Sequence, residues 1–144
     1  MRWSLFGVGA LVGILALMGC ASAEEKDYLR EVNAICAEAK KHLGEIPSPS
    51  SPAEVPKIIE RQLTIREEVI AKFGELAPPI NIAGGADNVF KDLEARQERA
   101  RALKEAVEHK EEKEVRKLEE EARTEAPIEA GRARAAKLDD CAEL

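Results

Sequence analysis

Aromatic side chains make up only 3% of this 144-residue chain, and the single tryptophan, Trp3, lies at its very start. Beyond residue 6 the only rings are Tyr28, Phe73 and Phe90, so any core must rest on aliphatics and alanine. Histidine is nearly absent, with His42 and His109 the two copies. Di-iron helical bundles need Glu-x-x-His on two helices, and the residues three before these histidines are Ala39 and Ala106. His42 reads as a cation in a last helical turn, and His109 as a surface residue. No G-x-S-x-G elbow occurs, the serines cluster at 48–51, and Gly84-Gly85 stands alone rather than in a phosphate loop. Positive charge is short as well. The 22 Lys+Arg against 28 Asp+Glu leave −6, which argues against a phosphate-binding footprint, so no nucleic-acid partner is expected. No catalytic residue, metal or cofactor is expected.

What is present starts with an export leader. Met1–Ser4 carries one base, Arg2, and Leu5–Met18 is an apolar run of about 14 residues. That is the size of a signal-peptide hydrophobic region and shorter than the roughly 20 residues that span hydrocarbon. Two processing sites overlap. Leu17-Met18-Gly19-Cys20 resembles a bacterial lipobox, with residues 1–19 removed and Cys20 acylated. Ala21-Ser22-Ala23 is an A-x-A site whose use would remove 1–23 and leave a soluble chain. The apolar run leads directly into Cys20, and Ser22-x-x-Glu25 reads as a capping box that cleavage after Ala23 would destroy, which favours the lipoprotein. The rest, 20–144, is read as one domain. From Cys20 onward the charge is −7, because Arg2 is the only charged residue before it.

Cys20 is consumed either way, which leaves Cys36 and Cys141. In an oxidising compartment a pair of cysteines is expected to bridge, with two buried free thiols or an intermolecular bond as the alternatives.

Apolar residues recur at helical spacing in four segments. The first, 24–44, aligns Tyr28, Val32, Ile35, Cys36, Ala39 and Leu43 and ends at Gly44. A linker with Pro47, Pro49 and Pro52 follows, and Ser51–Glu54 reads as the cap of a second helix that reaches about residue 76. Asp87 is expected to cap a third, with Val89, Leu93, Gln97, Leu103 and Val107 inward. A turn near 109–111 must reverse the chain, although no glycine or proline marks it. The fourth helix is thinly apolar and meets Pro127, which predicts a kink or a fresh start. No segment alternates with period two. The fold class is all-α: an up-down antiparallel four-helix bundle stapled by one disulfide. In that topology Cys141 meets Cys36 if helix 4 stops about two turns short of the base.

Fifteen of the 22 residues from Lys104 to Glu125 are charged. Glu68/Lys72, Asp92/Arg96, Glu112/Arg116 and Glu119/Arg123 read as i,i+4 pairs on solvated faces. A coiled-coil surface in this stretch is weakened because its apolar positions do not sustain three heptads. The loop Leu76–Ala86 is unusually apolar. Ile80 and Ile82 either close over the end of the bundle or project as a contact site.

Tyr28 followed by Val32–Cys36, with Ala135–Cys141 at the other end and Leu76-Ala77-Pro78-Pro79 between, resembles a group of small secreted all-helical actinobacterial proteins. Those carry an A-N-A-I-C motif in helix 1 and a C-terminal L-x-x-C. Asp139 departs from the more glycine-rich approach to the cysteine in that group. The resemblance implies the Cys36–Cys141 bridge and the bundle, and no catalytic residue. The function expected is that of a non-enzymatic, extracytoplasmic envelope protein, anchored through Cys20 or secreted, that binds an envelope partner or is structural. An accessory subunit or enzyme using surface carboxylates, and a small-ligand carrier within the bundle, are the alternatives.

Overall fold

The structure is a computed structural model that describes residues 21–144; the leader and Cys20 lie outside the described residues. Four helices follow in order: α1 (Ala23–Gly44), α2 (Val55–Gly74), α3 (Ala83–Glu108) and α4 (Glu112–Ala135). Short 3-10 turns sit at Pro52–Glu54 and Asp139–Glu143, and among the described residues there is no strand. None of these helices is long and apolar enough to cross a membrane.

The helix starts show where local chemistry was used and where it was diverted. Ser22 caps α1, its Oγ accepting from the Glu25 N–H at 3.1 Å. The other half of the capping box is missing, because the Glu25 carboxylate is buried and accepts instead from Asn81 and Lys137. Ahead of α2, Glu54 accepts from the Ser50 N–H at 2.7 Å rather than from Ser51. Helix α3 starts a turn before the expected Asp87 cap, and Asp87 pairs with Lys91 inside the helix. The start of α3 lies against the end of α4, where a Cβ at Gly85 would meet the Ala136 side chain at 3.4 Å, an ordinary van der Waals contact.

Two helix ends use lysines in the left-handed region, Lys110 (φ 59°) and Lys137 (φ 60°). In each, the next N–H reaches back five residues, Glu111 to the Ala106 carbonyl and Leu138 to the Ala133 carbonyl, both at 2.9 Å. Glycine is the usual residue at such a stop, which is why the reversal near 109–111 carries no glycine signal in the sequence. Of the two expectations at Pro127, the fresh start does not occur; α4 runs through it. Pro127 and Arg123 are both exposed, so water can replace the N–H partner that the Arg123 carbonyl loses.

Cross-helix pairs fix the directions. Lys104 meets Glu60 and Gln97 meets the Leu63 carbonyl, so α2 and α3 are antiparallel; Asp92 meets Arg132 and Arg96 meets Glu129, so α3 and α4 are antiparallel. Tyr28, Phe73 and Phe90 stack edge to face at the base, with centroids 6.4 and 5.5 Å apart. The bridge is present, with the Cα atoms of Cys36 and Cys141 5.0 Å apart. It is reached differently from the expected route. Helix α4 descends to Ala135, the chain reverses at Lys137, and the tail climbs beside α1, bringing Asp140 to Asn33, Cys141 to Cys36 and Glu143 to Lys40. Leu138, Cys141, Ala142 and Leu144 are all buried there, so the tail is part of the core.

Candidate functional site

Where the tail ends, the space between α2, α3 and α4 stays open as a cleft of about 360 Å³. Its walls are mostly apolar: Ile59 from α2, Ala100 and Leu103 from α3, Leu118, Ala122 and Ala126 from α4. Alanines on α4 are too short to fill the gap, and this creates the cleft. Its floor is polar and charged, with Arg66, Arg96, Arg99 and Glu129.

Glu129 is 2% exposed and holds two guanidinium groups at once. Its Oε2 accepts from Arg96 Nε at 2.5 Å and its Oε1 from Arg99 Nη2 at 2.5 Å. A carboxylate so deeply buried requires such partners, because uncompensated burial of charge is costly. Arg66 has no Asp or Glu side chain within salt-bridge distance among the described residues, and its Nε donates to the main-chain oxygen of Leu144 at 3.0 Å. Burial, and then the neighbouring Arg96, lower the Arg66 pKa from its ordinary value. Glu143 also lines the cleft, but Lys40 binds its carboxylate and keeps its pKa below the usual range. Arg66, Arg96 and Arg99 thus share this floor with Glu129, while Glu143 at its edge is held by Lys40. The arrangement suits holding an anion beneath an apolar wall.

The four pairs expected on solvated faces do not close. Asp92 bonds Arg132 across to α4 in a two-pronged contact at 2.7 Å, Arg96 takes Glu129, Lys72 approaches Glu38 and Arg123 takes Glu120. The sequence reading missed the Arg66, Arg96, Arg99 and Glu129 group. One signal was available: Glu129 stands in the Ala126/Ala130/Ala133 stripe of α4, where a carboxylate must either face solvent or find a cation.

The loop read as a contact site divides. Ile82 is half-buried against the core, whereas Ile80 is 98% exposed. Asn81 between them donates to the Glu25 carboxylate at 2.7 Å and ties the loop to α1. Ser22 and Ile80 border one recess, so the loop lies beside the start of the described chain. Beneath it the Tyr28 hydroxyl is buried without a partner, and burial raises its pKa from 10.0 to about 12. His42 and His109 are exposed, and the described residues contain no group of three His, Cys, Asp or Glu side chains placed to share a metal ion.

Fold and site define a disulfide-stapled all-α bundle with an apolar cleft floored by arginines. Comparison of the chain with protein-family models, curated proteins and solved structures finds no match.

Proposed function

We propose that the protein is an exported, non-enzymatic envelope protein, held by an acylated Cys20, whose base loop rests in the surface of the membrane that carries the anchor. The observation that supports this most is the position of Ile80, fully exposed at the end of the bundle where the chain emerges from Ser22, two residues after Cys20. An isolated isoleucine beside Pro78 and Pro79 gains by entering a lipid interface and gains nothing from water. The Ser22 cap on α1 favours processing before Cys20, since cleavage after Ala23 would discard it. In this arrangement the bundle stands on its base, and the cleft, lined from the middle stretches of α2, α3 and α4, lies above the lipid.

Intact mass of the protein extracted from the envelope tests the anchor: the expected species begins at an acylated Cys20, and a free terminus at Glu24 would refute it. An Ile80→Trp variant tests the loop, because Trp3 is lost with the leader. Its fluorescence is expected to be quenched by brominated lipids in vesicles. A water-exposed Trp on an acylated protein would refute the membrane contact and turn the loop towards a protein partner in the envelope.

A further inference from the structure

The cleft offers a binding site independent of how the chain is anchored. From its apolar walls and its cationic floor we infer that it binds a small amphiphile with one anionic head, a carboxylate or a phosphate monoester, and a medium-length apolar tail.

Three features of the geometry converge. The volume, about 360 Å³, lies at the low end of the roughly 300–1,000 Å³ typical of ligand sites, which limits the tail. Leu103, Leu118, Ala122 and Ala126 supply a wall with no hydrogen-bonding side chain. At the floor, Glu129 is already shared by Arg96 and Arg99, and among the described residues Arg66 is committed only through Nε, to the main-chain oxygen of Leu144. Its terminal N–H groups remain for an incoming anion, and a guanidinium presents them in the fork that matches a carboxylate or phosphate. Glu129 has a second role in this arrangement. It keeps Arg96 and Arg99 from repelling each other and fixes both beside Arg66. A free inorganic anion would use the floor and leave the walls wet, whereas an apolar ligand would leave the Arg66 N–H groups without an acceptor. The amphiphile satisfies both surfaces.

The test photolabels the full-length protein in nanodiscs with a diazirine-bearing dodecanoate and maps the labelled peptides. Labelling is expected on 100–103 and 118–126, with competition by excess dodecanoate or dodecyl phosphate; whichever competes at lower concentration identifies the head group. Arg66→Gln is expected to weaken labelling about tenfold, the order set by one charge-assisted contact. Ala126→Phe, an exposed position that leaves the core intact, is expected to block it and serves if Arg66→Gln fails to fold. The inference is overturned by labelling spread evenly over the surface, by equal competition from dodecyltrimethylammonium, or by inorganic phosphate competing as well as dodecyl phosphate. Labelling unchanged in a folded Arg66→Gln or Ala126→Phe variant overturns it too.

Discussion

Asn33 on α1 donates its amide nitrogen to the main-chain oxygen of Lys137 at 2.9 Å, and its Oδ1 accepts from the Asp140 N–H at 3.2 Å. One short side chain thus spans the reversal that sends the tail back along α1, and the disulfide locks the same segment one helical turn further on. Replacing Asn33 by alanine removes both bonds, the one to Lys137 exposed and the one to Asp140 half-buried, and should cost about 1 kcal/mol, read as a lower urea midpoint with an unchanged slope. Reducing the Cys36–Cys141 bridge, which joins positions 105 apart, should cost on the order of 4–5 kcal/mol in the chain-entropy account. Hydrogen exchange should then show protection lost first in 138–144 and in α4. Protection in 112–144 that survives reductant unchanged would show that helical packing alone docks them.

Glu129 is the residue whose loss should be felt most. Alanine there leaves Arg96 and Arg99 facing each other in a largely enclosed site, and about 3–5 kcal/mol of destabilisation is expected. Denaturant unfolding measures it. A loss below 1 kcal/mol would mean that the two arginines swing out to water at little expense.

Lys110 occupies a left-handed conformation that a side chain resists by roughly 1–2 kcal/mol. It is exposed and takes part in no ion pair among the described residues, so Lys110→Gly should raise stability by up to about 1 kcal/mol, part of the relief being offset by the greater freedom of glycine in the unfolded chain. Differential scanning calorimetry would register it as a higher Tm.

Pro127 leaves the Arg123 carbonyl without its helical partner. Restoring the N–H in Pro127→Ala should stabilise by about 1–3 kcal/mol, since interior prolines cost around 3. Circular dichroism melts would show it, and a destabilised variant would mean that the proline bend is needed to pack Ala130 and Ala133.

Tyr28 is the only tyrosine, so its phenolate absorbance can be followed without overlap. Its folded pKa of about 12 lies above the ordinary 10.0 because burial disfavours the charged form. The folded state therefore holds this proton more tightly than the unfolded chain. The stability it contributes is complete below pH 10 and is lost as pH rises through about 12. Native protein should show little phenolate until near that value, whereas urea-unfolded protein should titrate near 10. Tyr28→Phe should remove this component of the alkaline destabilisation.

Much of the helical framework was legible in the chain. Tyr28, Val32, Cys36 and Ala39 share one face in sequence and in space, as do Ile59, Val69 and Phe73. Periodicity reports these because a helix repeats every 3.6 residues whatever its neighbours are. Its limits show at Arg96. Four residues after Asp92 it reads as half of a surface pair, yet both side chains turn to α4 for their partners. Local spacing counts only partners on the same helix, and an antiparallel neighbour supplies others at no sequence signal. The candidate site was hidden for the same reason, since Arg66, Arg96, Arg99 and Glu129 come from three helices and only Glu129, set in an alanine stripe, hinted at it.

The sequence by itself determined the four helices and their inward stripes, since these follow from residue spacing and from which residues water excludes; it left the pairing of Cys36 with Cys141 as an expectation beside free thiols and an intermolecular bond, and the structure decided it. The tertiary structure decided the route to that pairing, the outward setting of Ile80 and the burial of Glu129 between two arginines. Each of those depends on what a neighbouring segment leaves open. A tail that fills the gap between α1 and α4, and alanines that leave one beside α2 and α3, turn a charged face into the floor of a cleft.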